Sequence, residues 1–113
     1  MRIIVPAIPK NVSLGPLREQ GEIVPLITNG MRVFDPTAAV VRMRASLIAH
    51  GWDPGRDHVC FVGSVIVASY MAWAIAAELA ERKTAAMNMI MYDSPNGQYC
   101  TRVWTRESAR SET

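Results

Sequence analysis

The sequence has few cysteines, few histidines and no large excess of charge of either sign. Its 113 residues contain two cysteines and two histidines, and 12 basic side chains are nearly balanced by 10 acidic ones. Two cysteines exclude a scaffold held together by several disulfides. The balanced charge does not favour nucleic acid as a partner. Half of the residues are hydrophobic, which excludes a disordered chain and predicts one folded domain.

The N-terminal stretch lacks the apolar length of a secretory signal. Pro6 and Pro9 interrupt the short apolar run that begins at Ile3, so we expect no signal peptide. Cys60 and Cys100 are therefore interpreted as reduced thiols of a cytoplasmic protein rather than as a disulfide bridge.

One uncharged stretch of 19 residues, 59–77, has the length of a membrane span. Gly63 and Ser64 divide it into a short β-type run and a longer alanine-rich part. A buried strand that leads into a buried helix gives the same pattern. We favour the strand and helix, and we therefore do not expect the protein to bind a membrane. A membrane span is the alternative.

Strand-like and helix-like segments alternate along the chain. Strands are predicted at 2–6, 22–28, 58–62, 85–92 and 98–104, and helices at 14–20, 36–50 and 64–83. Alternation of this kind predicts a mostly parallel sheet with helices on its faces, and the last hairpin adds an antiparallel strand. We therefore predict a small Rossmann-like α/β sandwich with five strands. Residues 1–104 form the domain in this prediction, and 105–113 form a mobile C-terminal tail.

Capping residues predict where two helices begin, and a proline predicts the position of one strand in the sheet. Ser13 and Asp35 are predicted N-caps of the first and second helices. Pro25 predicts that the second strand lies at an edge of the sheet or carries a kink. Arg42 and Arg44 fall off the apolar stripe of the second helix, so we expect both to be solvated.

The candidate ligand-binding residues follow the strands, where open α/β sheets bind ligands. They are Thr28, Asn29, Arg32, Gly63, Ser64 and Asp93. Ser64 begins a helix whose free amides favour an anion, and Arg32 could pair with a phosphate. Each residue also has a structural explanation: a turn for Thr28, Asn29 and Asp93, a helix cap for Ser64, a tight turn for Gly63 and a solvated loop for Arg32. Without a P-loop or G-x-G-x-x-G motif, the identity of the ligand stays open.

The third helix predicts an interface between subunits. Small side chains recur at spacings of four along it, at Ser64, Ala68, Ala72, Ala76 and Ala80. Such a ridge lets another backbone approach closely. Large apolar side chains occupy the rest of the cylinder, and so small a chain has difficulty covering them all. We therefore expect a homo-oligomer with Ala68, Ala72, Trp73 and Ala76 at its interface.

Catalytic and metal-binding constellations are not favoured. A nucleophilic Ser64 would need a histidine base, but His50 ends a predicted helix and His58 begins a predicted strand. No cysteine or histidine pair has zinc spacing. The alternate methionines of 87–91 are typical of the core face of a strand rather than of a copper site. We predict no metal and no cofactor.

Three short strings resemble small α/β proteins of Rossmann-like type that are carried in phage genomes. They are LREQGEIVPLI at 17–27, FVGS at 61–64 and MYD at 91–93, within a pattern that covers residues 1–104. The resemblance implies a phage context and, with it, the host cytoplasm. That group of proteins has no assigned activity, so the resemblance implies no site residue. The ten arginines against two lysines are compatible with a GC-rich genome.

The residues favour two functions nearly equally. The first is a binding module that holds a nucleotide-like or phosphate-like anion at the ends of the parallel strands. The alternative is a homo-oligomeric structural or interaction protein that assembles through helix 64–83. A phosphodiester-cleaving enzyme is a third and weaker hypothesis, because no acid–base pair is evident.

Overall fold

The fold is a five-stranded mixed sheet with helices on both faces, described by a computed structural model for residues 1–10, 13–30 and 32–106. The strands are Arg2–Val5 (β1), Glu22–Pro25 (β2), His58–Val59 (β3), Ala86–Asp93 (β4) and Gln98–Thr105 (β5). The helices are Gly15–Arg18 (α1), Pro36–Ala49 (α2) and Val65–Glu81 (α3). Most of the predicted C-terminal tail, residues 107–113, lies outside the described part, and Thr105 belongs to β5.

The strand order confirms a mostly parallel sheet with an antiparallel pair at its C-terminal end. The order is β2-β1-β3-β4-β5, with β1 parallel to both neighbours, β3 parallel to β4, and β5 antiparallel to β4. Ile4 at the centre of β1 lies opposite Val24 on one side and Val59 on the other. β2 is an edge strand, as Pro25 predicted, because an edge tolerates the missing N–H.

Two hydrophobic cores lie on opposite faces of the sheet. Alternate residues of one strand point to opposite faces, and Ile4 and Val59 pack with Met43 of α2 and Ile75 of α3. On the other face Ile3, Val5 and Cys60 pack with Leu17 of the short helix α1. The two long helices therefore form one layer, and a single turn of helix covers part of the opposite face. None of the helices in the described ranges is long and apolar enough to cross a bilayer.

The predicted ends of the elements are right where a side chain caps a helix and less accurate elsewhere. Asp35 caps α2, since its Oδ1 accepts a hydrogen bond from the N–H of Ala38 at 3.1 Å. The prediction of Ser13 as the cap of α1 is wrong: Leu14 occupies that position, because Ser13 Oγ bonds the N–H of Gly15 at 3.3 Å inside a preceding turn. β3 was predicted at 58–62 but ends at Val59, because the N–H of Val62 turns back to the carbonyl of Cys60.

A buried carboxylate, Asp57, precedes β3 at the amino-terminal edge of the sheet. Arg2 donates from Nε and Nη2 to its two oxygens at 3.2 and 2.9 Å, and the N–H of Asp53 donates at 2.9 Å. Burial alone would raise the pKa of Asp57, but the hydrogen bonds from Arg2 and Arg56 outweigh it and hold that pKa well below its usual range. The carboxylate thus ties β1 to the turn before β3.

A second buried carboxylate, Glu78, joins α2 to α3. It accepts from Arg44 Nε at 2.8 Å and from Arg82 Nε at 3.1 Å. The expectation that Arg44 is simply solvated is therefore wrong, because its guanidinium pairs with Glu78 and also with Glu81. Burial opposes ionisation of Glu78, yet the two arginines hold its pKa below the usual value.

Candidate functional site

The predicted ligand-binding residues occupy three separate places at the carboxyl edge of the sheet. Thr28, Asn29 and Arg32 lie in the loop between β2 and α2, Gly63 and Ser64 lie between β3 and α3, and Asp93 ends β4. Of these residues, only Thr28, Asn29 and Arg32 lie beside cavities that other polar side chains also line.

A cavity of about 320 Å³ separates the loops that follow β1 and β2. Its lining residues are Ala7, Ile8, Lys10, Pro25, Ile27, Thr28, Asn29 and Gly30. Thr28 and Asn29 therefore share it with Lys10, which is not among the predicted ligand-binding residues although it follows β1, at an edge where a ligand was expected. The parallel pairing of β1 with β2 brings Lys10 beside Thr28 and Asn29.

A second cavity of about 260 Å³ adjoins the first at Gly30. Arg32 and Arg42 line it together with two alanines of α2. Arg42, which was predicted to be solvated, is exposed but donates from Nη1 to the carbonyl of Gly30 at 2.9 Å. We call Lys10, Thr28, Asn29, Arg32 and Arg42 the basic rim, since three of the five side chains are cationic.

Hydrogen bonds hold the loop between β2 and α2, which carries Thr28, Asn29 and Arg32 of the basic rim. The hydroxyl of Tyr70 on α3 donates to the carbonyl of Val33, and the N–H of Asp35 donates to the carbonyl of Arg32 at 3.1 Å. Together with the bond from Arg42 to Gly30, these contacts hold both sides of the loop against α2 and α3. A fixed loop loses less conformational entropy when a ligand binds.

Gly63 and Ser64 form a tight turn and a helix cap. Gly63 has a φ of +95°, which an L side chain adopts only with strain. Ser64 Oγ accepts a hydrogen bond from the N–H of Val67 at 3.2 Å and so caps α3. The tight turn of Gly63 and the helix cap of Ser64 thus agree with the structural explanations given for them in the sequence. Neither residue lines the cavities of the basic rim.

Removing the cap is expected to destabilise the protein. We predict that Ser64→Ala lowers the free energy of unfolding by about 1 kcal/mol, as for other N-caps, measured by urea denaturation. Ser69→Ala is the matched control within the same helix, because the Ser69 hydroxyl donates to the carbonyl of Ile66 inside the helix and does not act as a cap at its end. Alanine favours a helix interior, so an equal loss in both variants would contradict the cap.

Asp93 holds the turn between β4 and β5. Its Oδ2 accepts a hydrogen bond from Asn96 Nδ2 at 2.6 Å, and the N–H of Gly97 donates to the carbonyl of Ser94. Asp93 is thus engaged in the hairpin, as an Asx-type turn requires.

The candidate nucleophiles Cys60 and Ser64 occupy structural positions, in the core and at a helix cap. Cys60 is buried, and burial raises the pKa of its thiol to about 11, so it stays protonated near neutral pH. His58 begins β3 at the amino-terminal edge, whereas Ser64 follows the carboxyl end of that strand. Over the described ranges, no three histidine, cysteine, aspartate or glutamate side chains come close enough to hold a metal ion.

The predicted interface residues on α3 face different surroundings. Ala72 and Ala76 line a cavity of about 270 Å³ between α3 and β5, to which Trp104 also contributes. Trp73 lies on the other side of the helix and is 70% exposed beside α2. Ala68 is half-buried. The alanine ridge and Trp73 thus belong to two neighbouring surfaces.

No protein-family model matches this chain, and neither curated proteins nor solved structures give a significant match.

Proposed function

We propose that the protein is a binding module that holds a small phosphate-bearing ligand at the basic rim. The observation that carries the proposal is the convergence of Lys10, Arg32 and Arg42 on two cavities that meet at Gly30. Guanidinium and ammonium groups are the side chains that proteins use to bind phosphate. The net charge of the whole chain is only +2, so this cluster is a local feature.

The two cavities support a ligand larger than a free phosphate ion. Cavities of about 320 and 260 Å³ are together in the range of small-molecule pockets. The lobe with Arg32 and Arg42 suits the charged group, which can accept two parallel hydrogen bonds from a guanidinium. The lobe with Thr28 and Asn29 offers neutral donors and acceptors for a sugar or base, and Lys10 adds one positive charge to it. A mononucleotide has this division of charge and polarity.

The topology gives the proposal support by analogy. The strand order 2-1-3-4-5 also occurs in flavodoxin-like members of the Rossmann-like class, which bind ligands beyond the carboxyl ends of their strands. The basic rim lies at the same carboxyl edge, beside the loops after β1 and β2, which is next to the reversal of strand order between β1 and β3. We therefore propose that the sheet is a reduced Rossmann-like one, although fold likeness alone does not determine function.

We propose binding without a chemical step. The side chains of the basic rim include no carboxylate or imidazole that could serve as a general base. We also propose a cytoplasmic location, the host cytoplasm if the gene belongs to a phage, because Cys60 and Cys100 are free thiols.

A thermal-shift experiment with AMP, and with adenosine as the uncharged comparison, tests the proposal. At ten times its dissociation constant a ligand adds about 1.4 kcal/mol of stability, which raises the Tm of a chain of this size by about 6 °C. We expect AMP to give such a rise and adenosine to give a much smaller one. Arg32→Gln should abolish most of the AMP shift.

Arg102→Gln is the matched control for this experiment. Arg102 is an exposed arginine on β5, and its guanidinium donates to the adjacent carbonyl of Thr101. The control should retain the full AMP shift. An absence of any shift with AMP, or an equal loss in Arg32→Gln and Arg102→Gln, would refute binding at the basic rim.

A further inference from the structure

An apolar surface covers the outside of the α2–α3 layer. Val41 and Ile48 on α2 are 63% and 57% exposed, and Ile66 and Trp73 on α3 are 46% and 70% exposed. Each pair is seven residues apart and therefore lies along one side of its helix. We call these four residues the outer helix face. Large apolar patches on a soluble protein mark sites where something else binds.

A groove runs along this face between the two helices. Its volume is about 400 Å³, and its lining residues are Pro36, Thr37, Val40, Val41, Trp73 and Ala77. None of these side chains carries a charge. The exposed indole of Trp73 thus projects beside an apolar groove on the same face of the molecule.

We propose that a second copy of this chain covers the outer helix face and forms a symmetric dimer with it. In a two-fold dimer the same patch serves both partners, so the patch must contain both the projecting group and the groove that receives it. Trp73 and the adjoining groove supply these two parts. The Trp73 indole of each copy packs into the groove of the other.

The absence of charge at the groove also favours self-association. Near a two-fold axis every charged side chain meets its own copy, and like charges brought together are unfavourable. The groove residues avoid this penalty. Near the face, Arg44 pairs with Glu81 within the chain, so their charges are balanced before a partner arrives.

The area of the α2–α3 layer suits a weak dimer, at the small end of the range of protein interfaces. The 14 residues of α2 and 17 residues of α3 give helices about 21 and 25 Å long, and two adjacent helices are about 20 Å wide. The projected area is therefore about 500 Å², and side chains that protrude add accessible surface to it. A standard interface buries about 800 Å² on each partner. Phe34, 93% exposed just before α2, adjoins the layer and extends its apolar area.

Sedimentation velocity across micromolar to millimolar concentrations tests the proposal. We expect the wild type to change from monomer to dimer and Val41→Glu to remain monomeric. Truncating a central aromatic anchor typically weakens an interface at least ~30-fold, so Trp73→Ala should raise the dimer Kd by that factor. The fluorescence of the wild type should shift to shorter wavelength on dimerisation, because Trp73 becomes buried.

Val103→Glu is the matched control. Val103 is 64% exposed, almost the same fraction as Val41, but it lies on β5 away from the outer helix face. It should dimerise as the wild type does, and far-UV circular dichroism verifies that each variant is folded. A wild type that stays monomeric, a dimer that survives Val41→Glu, or an equal loss in Val103→Glu would overturn the proposal. None of these results depends on whether AMP binds at the basic rim.

Discussion

Replacing Arg2 with methionine is expected to lower the free energy of unfolding by about 2 kcal/mol, because the buried Asp57 carboxylate loses two charge-assisted hydrogen bonds and keeps those from Arg56 and from the N–H of Asp53. The side chain of Asp57 is fully buried, and Arg2 contributes two of its hydrogen bonds. Methionine keeps most of the aliphatic stem, so the loss reports the charge. Urea denaturation at neutral pH measures the effect.

The pH dependence distinguishes this cause from lost packing. The pKa of Asp57 is lowered in the folded protein, so its stabilisation is present above the unfolded pKa of about 4 and is lost as the pH falls below it. The difference between wild type and Arg2→Met should therefore narrow under acid conditions. Arg18→Met, an exposed arginine in the last turn of α1, is the control. A difference that stays constant with pH would show that the charge is not the cause.

The order of the elements could be predicted from the sequence because each one carries a local signal. β-branched runs, the Asp35 cap and the Asp93–Gly97 turn determine strands, a helix and a hairpin within a few residues of one another. The lengths of β2 and β3 were overestimated, since apolar residues continue past the point at which the chain leaves the sheet. Leu26 and Ile27, just after β2, still donate to the carbonyls of Val5 and Pro6 at 2.9 and 3.1 Å and are buried, so the apolar pattern continues as far as the burial does.

The candidate site was only partly predictable because it depends on contacts between distant segments. Thr28 and Asn29 could be selected by their position after a strand. Lys10 also follows a strand, but only the parallel pairing of β1 with β2 shows that it lies beside Thr28 and Asn29. Arg42 lies within α2 and has no such signal, and the packing of α2 brings it to Gly30. Likewise, nothing in the local pattern of Glu78 shows that Arg44 lies opposite it, 34 residues earlier in the chain.

The two edges of the sheet hold different kinds of polar group. At the amino-terminal edge, Asp57 is buried and its oxygens accept several hydrogen bonds within the chain. At the carboxyl edge, Arg32 is exposed beside a cavity. Fully bonded buried groups contribute to stability and specificity of the fold, whereas exposed cations beside a cavity retain the capacity to bind. We therefore expect substitutions at the first edge to change unfolding and those at the second to change ligand affinity.

Trp52 is the largest fully buried side chain among the described residues, so we expect a large loss of stability when it is truncated. It is almost fully buried in the core between the sheet and the α2–α3 layer, and Arg82 lies over its ring at 5.5 Å. Trp52→Ala should lower the free energy of unfolding by about 3–5 kcal/mol, the usual cost of emptying a large aromatic site. Loss of the contact between the Arg82 guanidinium and the indole adds to this cost. Chemical denaturation monitored by circular dichroism measures it.

Trp52→Phe separates the packing of this ring from its polarity. Within the described residues the indole Nε1 is buried and no protein group accepts its hydrogen bond, an arrangement that opposes folding. Phenylalanine removes that N–H and keeps an aromatic ring beneath Arg82. The smaller cavity and the relieved polar group offset each other in part, and we expect a loss of about 1 kcal/mol. If Trp52→Phe were as destabilising as Trp52→Ala, the indole nitrogen would have to bond a buried water molecule, and the core would be polar at this point.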